Sequence, residues 1–203
     1  MIIDEETYKL DNTNYVPIEI KKTRIVLGHT FNHDMRHFIG WKHRFNGHYK
    51  KTAAFTISSS GKIFKHFNPK FYSKYFKQYD LNTRSIVILL ENDGHLINDS
   101  ENNQFITWNG DIYKDQTKVV EKKWRALNYW VPYSEEQIES VTNLVKSLCE
   151  EFEIPLSAIS HNTKVEYLGG FNGVLYKSNL EKYHTDLNPS WDCELFKKNI
   201  EKK

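Results

Sequence analysis

The sequence contains few of the residues that mark secreted or membrane proteins. It has only two cysteines, Cys149 and Cys193, so neither a disulfide framework nor a cysteine-based zinc site can form. The first residues carry acids where a secretory signal carries bases, and no long apolar run follows them. We therefore expect a reduced, cytoplasmic protein with no membrane partner.

Acidic residues are missing from one long segment: residues 35–79 contain no aspartate or glutamate. Ten lysines and arginines lie there, and the rest of the chain, with 18 basic and 26 acidic residues, has a formal charge of −8. Twelve aromatic residues and four histidines interleave with the positive charges. This composition suits an anionic ligand, or else a lysine-rich surface over an aromatic core. Nucleic acid is the weaker alternative, because 23 of the 28 basic residues are lysine and base readout favours arginine.

Short apolar runs predict the strands. The runs at residues 24–30 and 85–92 are typical of buried strands, since they are apolar on both faces. Residues 52–67 predict a hairpin, and residues 105–113 predict a second, shorter one. The polar residues 92–99 between these elements are interpreted as a turn.

The clearest helix signal begins at residues 134–137, where a capping-box pattern precedes apolar residues at i, i+3 and i+4 spacing. A terminal helix is predicted near the C-terminus, whereas residues 162–183 show no regular pattern. The interleaved elements predict one α/β (α+β) domain at residues 23–203, preceded by a polar, irregular lead-in at residues 1–22.

Six segments follow one another in an order typical of one family. They span roughly residues 24–196 and read RIVLGHT, TAAFTISSSGKIF, FNPKFY, NTRSIVILLEN, YSEEQIESVTNLVKSLCEEFEIP and HTDLNPSWD. In this order they resemble the type 2 N-acetylmuramoyl-L-alanine amidases, zinc enzymes related to phage lysozyme-type amidases and peptidoglycan recognition proteins. The resemblance implies a central mixed β-sheet flanked by helices, with a groove for a zinc ion and a muropeptide.

The resemblance also assigns the zinc ligands of the family to positions in this chain. The first ligand position falls on Gly28, and His29 can replace it only if a bulge shifts the strand register by one residue. The second position falls on His161 in one alignment and on Lys177 in another. Asp186 matches the third ligand, so an intact zinc site would consist of His29, His161 and Asp186.

The groups that move protons in the family differ here as well. His184 stands where the resemblance expects an assisting lysine, and Ala53 stands at the tyrosine position. Some members have a glutamate at the position of Leu89, and Glu91 lies two residues further on the same strand face. If the chain is an active enzyme, His184 and Glu91 are therefore its candidate catalytic residues.

These departures predict an amidase-fold protein that has lost zinc-dependent catalysis and uses no cofactor. It would bind a small anionic ligand, either a muropeptide or a nucleotide-like molecule, and sequester it. The first alternative is an active, zinc-dependent amidase that cleaves peptidoglycan, and the second is a nucleic-acid-binding protein. The candidate ligand-binding residues are His29, Trp41, His43, Lys177, His184 and Asp186.

Overall fold

The computed structural model of the protein describes residues 1–160, 171–181 and 183–202. In chain order, the strands are β1 (Ile3–Asp4), β2 (Arg24–His29), β3 (Phe55–Ile57), β4 (Ile63–Lys65), β5 (Ser85–Leu90), β6 (His95–Asp99), β7 (Gln104–Thr107), β8 (Val120–Trp124), β9 (Leu127–Trp130) and β10 (Gly173–Tyr176). The α-helices are α1 (Arg36–His43), α2 (Tyr79–Arg84), α3 (Glu135–Glu151), α4 (Lys177–Leu180) and α5 (Cys193–Glu201). None of these helices has the length and hydrophobicity needed to cross a membrane.

The larger of two sheets has six strands in the order β1-β4-β3-β5-β2-β10. Strands β3, β5, β2 and β10 run parallel, and β4 runs antiparallel to β3, so the sheet is mixed. The predicted α/β fold, with a central mixed sheet flanked by helices, is thereby confirmed. Parallel strands end at a common edge. The residues that follow β2, β5 and β10 therefore meet at the carboxyl edge of this sheet.

Helix α3 fixes one side of that edge. Ser134 caps the helix by accepting a hydrogen bond from the backbone N–H of Gln137 at 3.1 Å, as predicted. The Gln137 side chain does not return to the cap. It donates instead to the backbone carbonyls of Ile57 and Glu91, both at 3.0 Å. The start of α3 is thereby attached to the ends of β3 and β5.

A second, antiparallel sheet lies between β5 and α3 in the chain, with strand order β7-β6-β9-β8. The predicted turn at residues 92–99 was wrong, because β6 begins at His95. Only Leu96 of its five residues is buried, and a strand with so few buried residues carries little hydrophobic signal. The predicted second hairpin is present: β7 turns back at Gly110, and Ile106 forms a bridge with Ile112.

Two further segments differ from prediction. The lead-in contributes β1, which pairs with β4 at the edge of the larger sheet. The stretch interpreted as irregular contains β10 and α4, although residues 161–170 and Lys182 lie outside the described residues. A strand of four residues is too short to show a period, so β10 is defined by its pairing with β2 rather than by its own sequence.

Two imidazoles, those of the buried His66 and of the half-buried His37 on α1, share one hydroxyl. The Nε2 atoms of His37 and His66 lie 3.1 Å and 2.8 Å from Thr56 Oγ1. Burial lowers the pKa of His37 to about 3 and the pKa of His66 to about 4. Burial also lowers the pKa of His29 to about 4. All three imidazoles are therefore neutral in the folded protein at pH 7.

We expect the free energy of unfolding to fall as the pH drops from 6.5, the ordinary pKa of histidine, towards 4. In that window the unfolded chain binds protons that the folded chain excludes, and each fully buried histidine contributes on the order of 2 kcal/mol by pH 5. Urea unfolding at pH 7 and pH 5 measures this loss. His66→Gln should reduce the pH dependence, whereas the control His43→Gln, at an exposed position, should leave it unchanged. Equal unfolding midpoints at the two pH values would contradict the expectation.

Candidate functional site

Three positions that the resemblance assigns to zinc ligands meet at the carboxyl edge of the larger sheet. Gly28 lies near the end of β2, Lys177 follows β10 directly, and Asp186 lies on the loop after α4. A β-carbon on Gly28 would lie 2.9 Å from Asp186 Oδ2 and 3.7 Å from Lys177 Cδ. Glycine is therefore the residue that lets the carboxylate approach the strand this closely.

Lys177 and Asp186 form a buried ion pair at this point. Lys177 Nζ lies 3.6 Å from Asp186 Oδ2, and the two side chains are 7% and 0% exposed. The ammonium also lies 3.4 Å from the Tyr75 hydroxyl and 5.1 Å from the centre of the Tyr75 ring. The pair therefore occupies the space in front of Gly28.

Both members of this pair are charged. Burial by itself would raise the pKa of Asp186, but the neighbouring His184 imidazole and the Lys177 ammonium outweigh it and hold that pKa well below its usual range. Burial would lower the pKa of Lys177, but Tyr75 and Asp186 outweigh it, so that pKa is raised. Burial raises the pKa of Tyr75 to about 12, which keeps its hydroxyl protonated.

His29 points away from Gly28, because β2 and β5 pair in unbroken register through both residues. Its Nδ1 atom lies 3.0 Å from the Tyr133 hydroxyl, which itself accepts the Asn188 N–H at 3.2 Å. The hydroxyl and Nδ1 therefore share one hydrogen bond, whose direction depends on the tautomer of the neutral ring. Within the described residues the Nε2 atom of His29 has no hydrogen-bond partner. The backbone N–H of His29 donates to Asp186 Oδ2 at 3.3 Å.

The two candidate catalytic residues have different surroundings. His184 Nδ1 lies 3.5 Å from Asp186 Oδ1, and its Nε2 pairs with the Glu181 carboxylate. Glu91 is buried, and its two carboxylate oxygens accept the backbone N–H groups of Met35 at 2.9 Å and Ser59 at 3.0 Å. His184 thus belongs to the site around Asp186, whereas Glu91 holds two loops in place.

The remaining candidates are dispersed. Trp41 is buried, and its ring packs edge-on against His37 and His66. His43 is exposed at the end of α1. His161 lies outside the residues that the structure describes. Of the predicted ligand-binding set, Lys177, His184 and Asp186 are brought together, and His29 joins them through its backbone.

A cavity of about 400 Å³ opens beside the ion pair. Tyr75 and His184 belong both to the cavity wall and to the contacts of Lys177 and Asp186. Sequence reasoning identified the acid-free segment that supplies most of the wall, but not the individual residues. The lining residues are Lys51, Lys74, Tyr75, Phe76, Lys77, Glu181, Tyr183 and His184.

A larger cleft, of about 960 Å³, lies between the smaller sheet and the start of α3. Its charged groups include two close pairs, His33 with Asp93 at 3.0 Å and Arg36 with Asp111 at 2.9 Å. Aspartates and glutamates outnumber lysines and arginines among its lining residues. An anionic ligand is therefore favoured by the smaller, basic cavity.

The smaller sheet supports the loop that carries His184. Arg125, in the turn between β8 and β9, donates to the backbone carbonyls of Ser178 at 3.0 Å and Glu181 at 3.4 Å. The same guanidinium donates to the carbonyl of His184. Hydrogen bonds from a charged donor are stronger than neutral ones. Arg125 therefore fixes the segment that forms one wall of the cavity.

Known structures show the same architecture. The endolysin LysCS from Clostridium intestinale URNW, an N-acetylmuramoyl-L-alanine amidase, aligns with a TM-score of 0.59 at 15% identity, covering 100% of this chain and 97% of that one. AMPDH3 from Pseudomonas aeruginosa, in complex with anhydromuramic pentapeptide, aligns with a TM-score of 0.55 at 13% identity. The alignment covers 98% of this chain and 66% of that one. A complex of tracheal cytotoxin with the peptidoglycan recognition proteins LCa and LCx aligns with a TM-score of 0.54 at 12% identity. The alignment covers 98% of this chain and 96% of that one. The fold is that of the amidases and peptidoglycan recognition proteins.

The family follows from the sequence match. The model of the family described as N-acetylmuramoyl-L-alanine amidase matches residues 19–170, which is more than half of the chain. The chain belongs to the N-acetylmuramoyl-L-alanine amidase family, as the resemblance predicted. No curated protein sequence matches it significantly.

Proposed function

We propose that this member of the amidase family binds a small anionic ligand in the inherited groove and does not catalyse zinc-dependent hydrolysis. The observation that carries the proposal is the buried pair of Lys177 and Asp186 in front of Gly28. An ammonium group offers only donors, and glycine has no side chain. Of these three positions, only Asp186 can therefore bind a metal.

A zinc ion does not fit the described part of this site. A catalytic zinc is held by three protein ligands and keeps a fourth position open. His29 does not supply a ligand here, because its ring turns to Tyr133 on the other side of the strand. Over residues 1–160, 171–181 and 183–202, no three His, Cys, Asp or Glu side chains are arranged to share a metal ion.

The ligand proposal rests on charge and on similar proteins. Three lysines and three aromatic residues line the cavity beside the ion pair, and a cavity of this kind suits a small anion with a flat ring. Two of the similar structures hold anhydromuramic pentapeptide or tracheal cytotoxin, which supports a muropeptide-type ligand. A nucleotide-like molecule satisfies the same charge requirement, and the role would then be sequestration.

Metal analysis combined with a lysis assay tests the absence of zinc catalysis. We expect protein purified without chelator, then incubated with zinc and dialysed, to retain far less than one zinc ion per chain. It should also leave the turbidity of a peptidoglycan suspension unchanged. Stoichiometric zinc and lytic activity, both lost in Asp186→Asn, would establish the active amidase instead. An amidase of known activity serves as the positive control for the assay.

A further inference from the structure

We infer that the ligand of the cavity carries a phosphate group on an aromatic or sugar ring, and that Lys51, Lys74 and Lys77 bind the phosphate. The inference rests on the proposed function and names the class of its ligand. It depends on three observations: the neutrality of the inner ion pair, the unbalanced charge of the cavity, and the aromatic groups beside that charge.

The buried pair of Lys177 and Asp186 has no net charge with which to attract an anionic ligand. Lys177 is buried, and its charge is compensated by Asp186 at 3.6 Å. Tyr75 lies between this pair and the cavity: the Lys177 ammonium is 5.1 Å from its ring centre, and the Lys51 ammonium is 5.9 Å from it. A ligand in the cavity therefore meets the charge of Lys51 and its neighbours rather than the charge of Lys177.

The charge of the cavity is not balanced by protein groups. Glu181 is the one carboxylate among the described lining residues, and it pairs with His184. Lys51, Lys74 and Lys77 are exposed, and in the described part of the chain none of them forms an ion pair. A cluster of like charges favours an anion, and a phosphate presents up to two charges and several acceptor oxygens to surrounding ammonium groups. A single carboxylate would leave part of this charge unmatched.

The aromatic residues indicate a ring. Tyr75 and Phe76 form part of the cavity wall, and Tyr183 stands at it with 88% of its surface exposed. Tyr75 and Phe76 are only 8% and 6% exposed, so Tyr183 is the aromatic side chain on which a ligand ring can stack. The volume of about 400 Å³ is at the small end of ligand sites, which suits a single ring with its phosphate rather than a polymer.

Isothermal titration with AMP, adenosine, inorganic pyrophosphate and muramyl dipeptide tests the inference. We expect AMP or pyrophosphate to bind, and adenosine to bind at least about tenfold more weakly than AMP, since a hydrogen bond to a charged group contributes about 1.5–3 kcal/mol. Lys74→Ala and Lys77→Ala should each weaken binding about tenfold by the same reasoning. The matched control is Lys62→Ala, an exposed lysine of the same acid-free segment outside the cavity, which should change nothing.

The outcomes separate the inference from the function on which it rests. Binding of muramyl dipeptide alone would overturn the phosphate inference and leave the proposed function intact. Absence of binding by both phosphate probes, or binding unaffected by the Lys74 and Lys77 substitutions, would overturn the inference as well. Tighter binding of mixed-sequence DNA than of AMP, with a steep salt dependence, would replace it with a polymer site. Stoichiometric zinc with lytic activity would overturn the proposed function itself.

Discussion

Replacing Gly28 and Lys177 together with histidine is expected to create a zinc site in this chain. The two new imidazoles would stand beside Asp186, which gives the three ligands that a zinc site of this type needs. Removing the Lys177 ammonium also frees the Asp186 carboxylate from its ion pair. We expect the wild-type chain to retain no stoichiometric zinc after dialysis and the double variant to retain about one ion per chain, as measured by elemental analysis.

Three controls make this result specific. Adding Asp186→Asn to the double variant should abolish zinc retention, and Lys177→His alone should give weak retention because the first ligand is still missing. A β-carbon at position 28 would lie 2.9 Å from Asp186 Oδ2 and 3.2 Å from Leu89 Cδ2, so the carboxylate must shift slightly and the folding of the double variant is checked by circular dichroism. A folded double variant that retains no more zinc than the wild type would show that these three positions do not converge as described.

Lys177→Met is expected to lower the free energy of unfolding by about 3–5 kcal/mol, because it leaves the buried Asp186 carboxylate without a counter-ion. The carboxylate is fully buried, so water cannot replace the lost ammonium. Urea unfolding at pH 7 measures the change. Asp186→Asn should cost a similar amount, because it leaves the ammonium unpaired instead. Combining the two substitutions should cost clearly less than the sum of the two single effects.

The matched control is a pair at the surface. Lys65 Nζ lies 3.1 Å from Glu5 Oε1, with the two side chains 26% and 54% exposed. Water screens such a pair, so Lys65→Met should change the free energy of unfolding by less than about 1 kcal/mol. If Lys177→Met costs no more than Lys65→Met, the pair at the centre of the site is not the stabilising interaction that its burial implies.

Local patterns were sufficient for part of the fold. Strands β2 and β5 and helix α3 each carry a clear signal in their own residues, and the turn at Gly61 has the positive φ of 78° that favours glycine. The smaller sheet and β10 carry no such signal. Their strands are short or half-exposed, and they depend on pairing with residues distant in the sequence.

The site was predictable only in part, for the same reason. The resemblance located Gly28 and Asp186, but it left two alignments open for the second ligand position. The structure places Lys177 3.6 Å from Asp186, while His161 lies outside the described residues. Tyr75 could not be connected to this site from sequence, because it meets Lys177 across 102 positions of the chain. Contacts of this range arise from the fold and not from a local pattern.

The contact between Arg125 and the segment after α4 gives the smaller sheet a second role. If the proposed ligand binds against this segment, it binds the conformation that Arg125 also stabilises, and the two equilibria are then thermodynamically linked. Under that proposal, substitutions in the β8–β9 turn would raise or lower the ligand affinity without touching the ligand. The smaller sheet would then offer a way for the strength of binding to change during evolution while the floor of the groove stays the same.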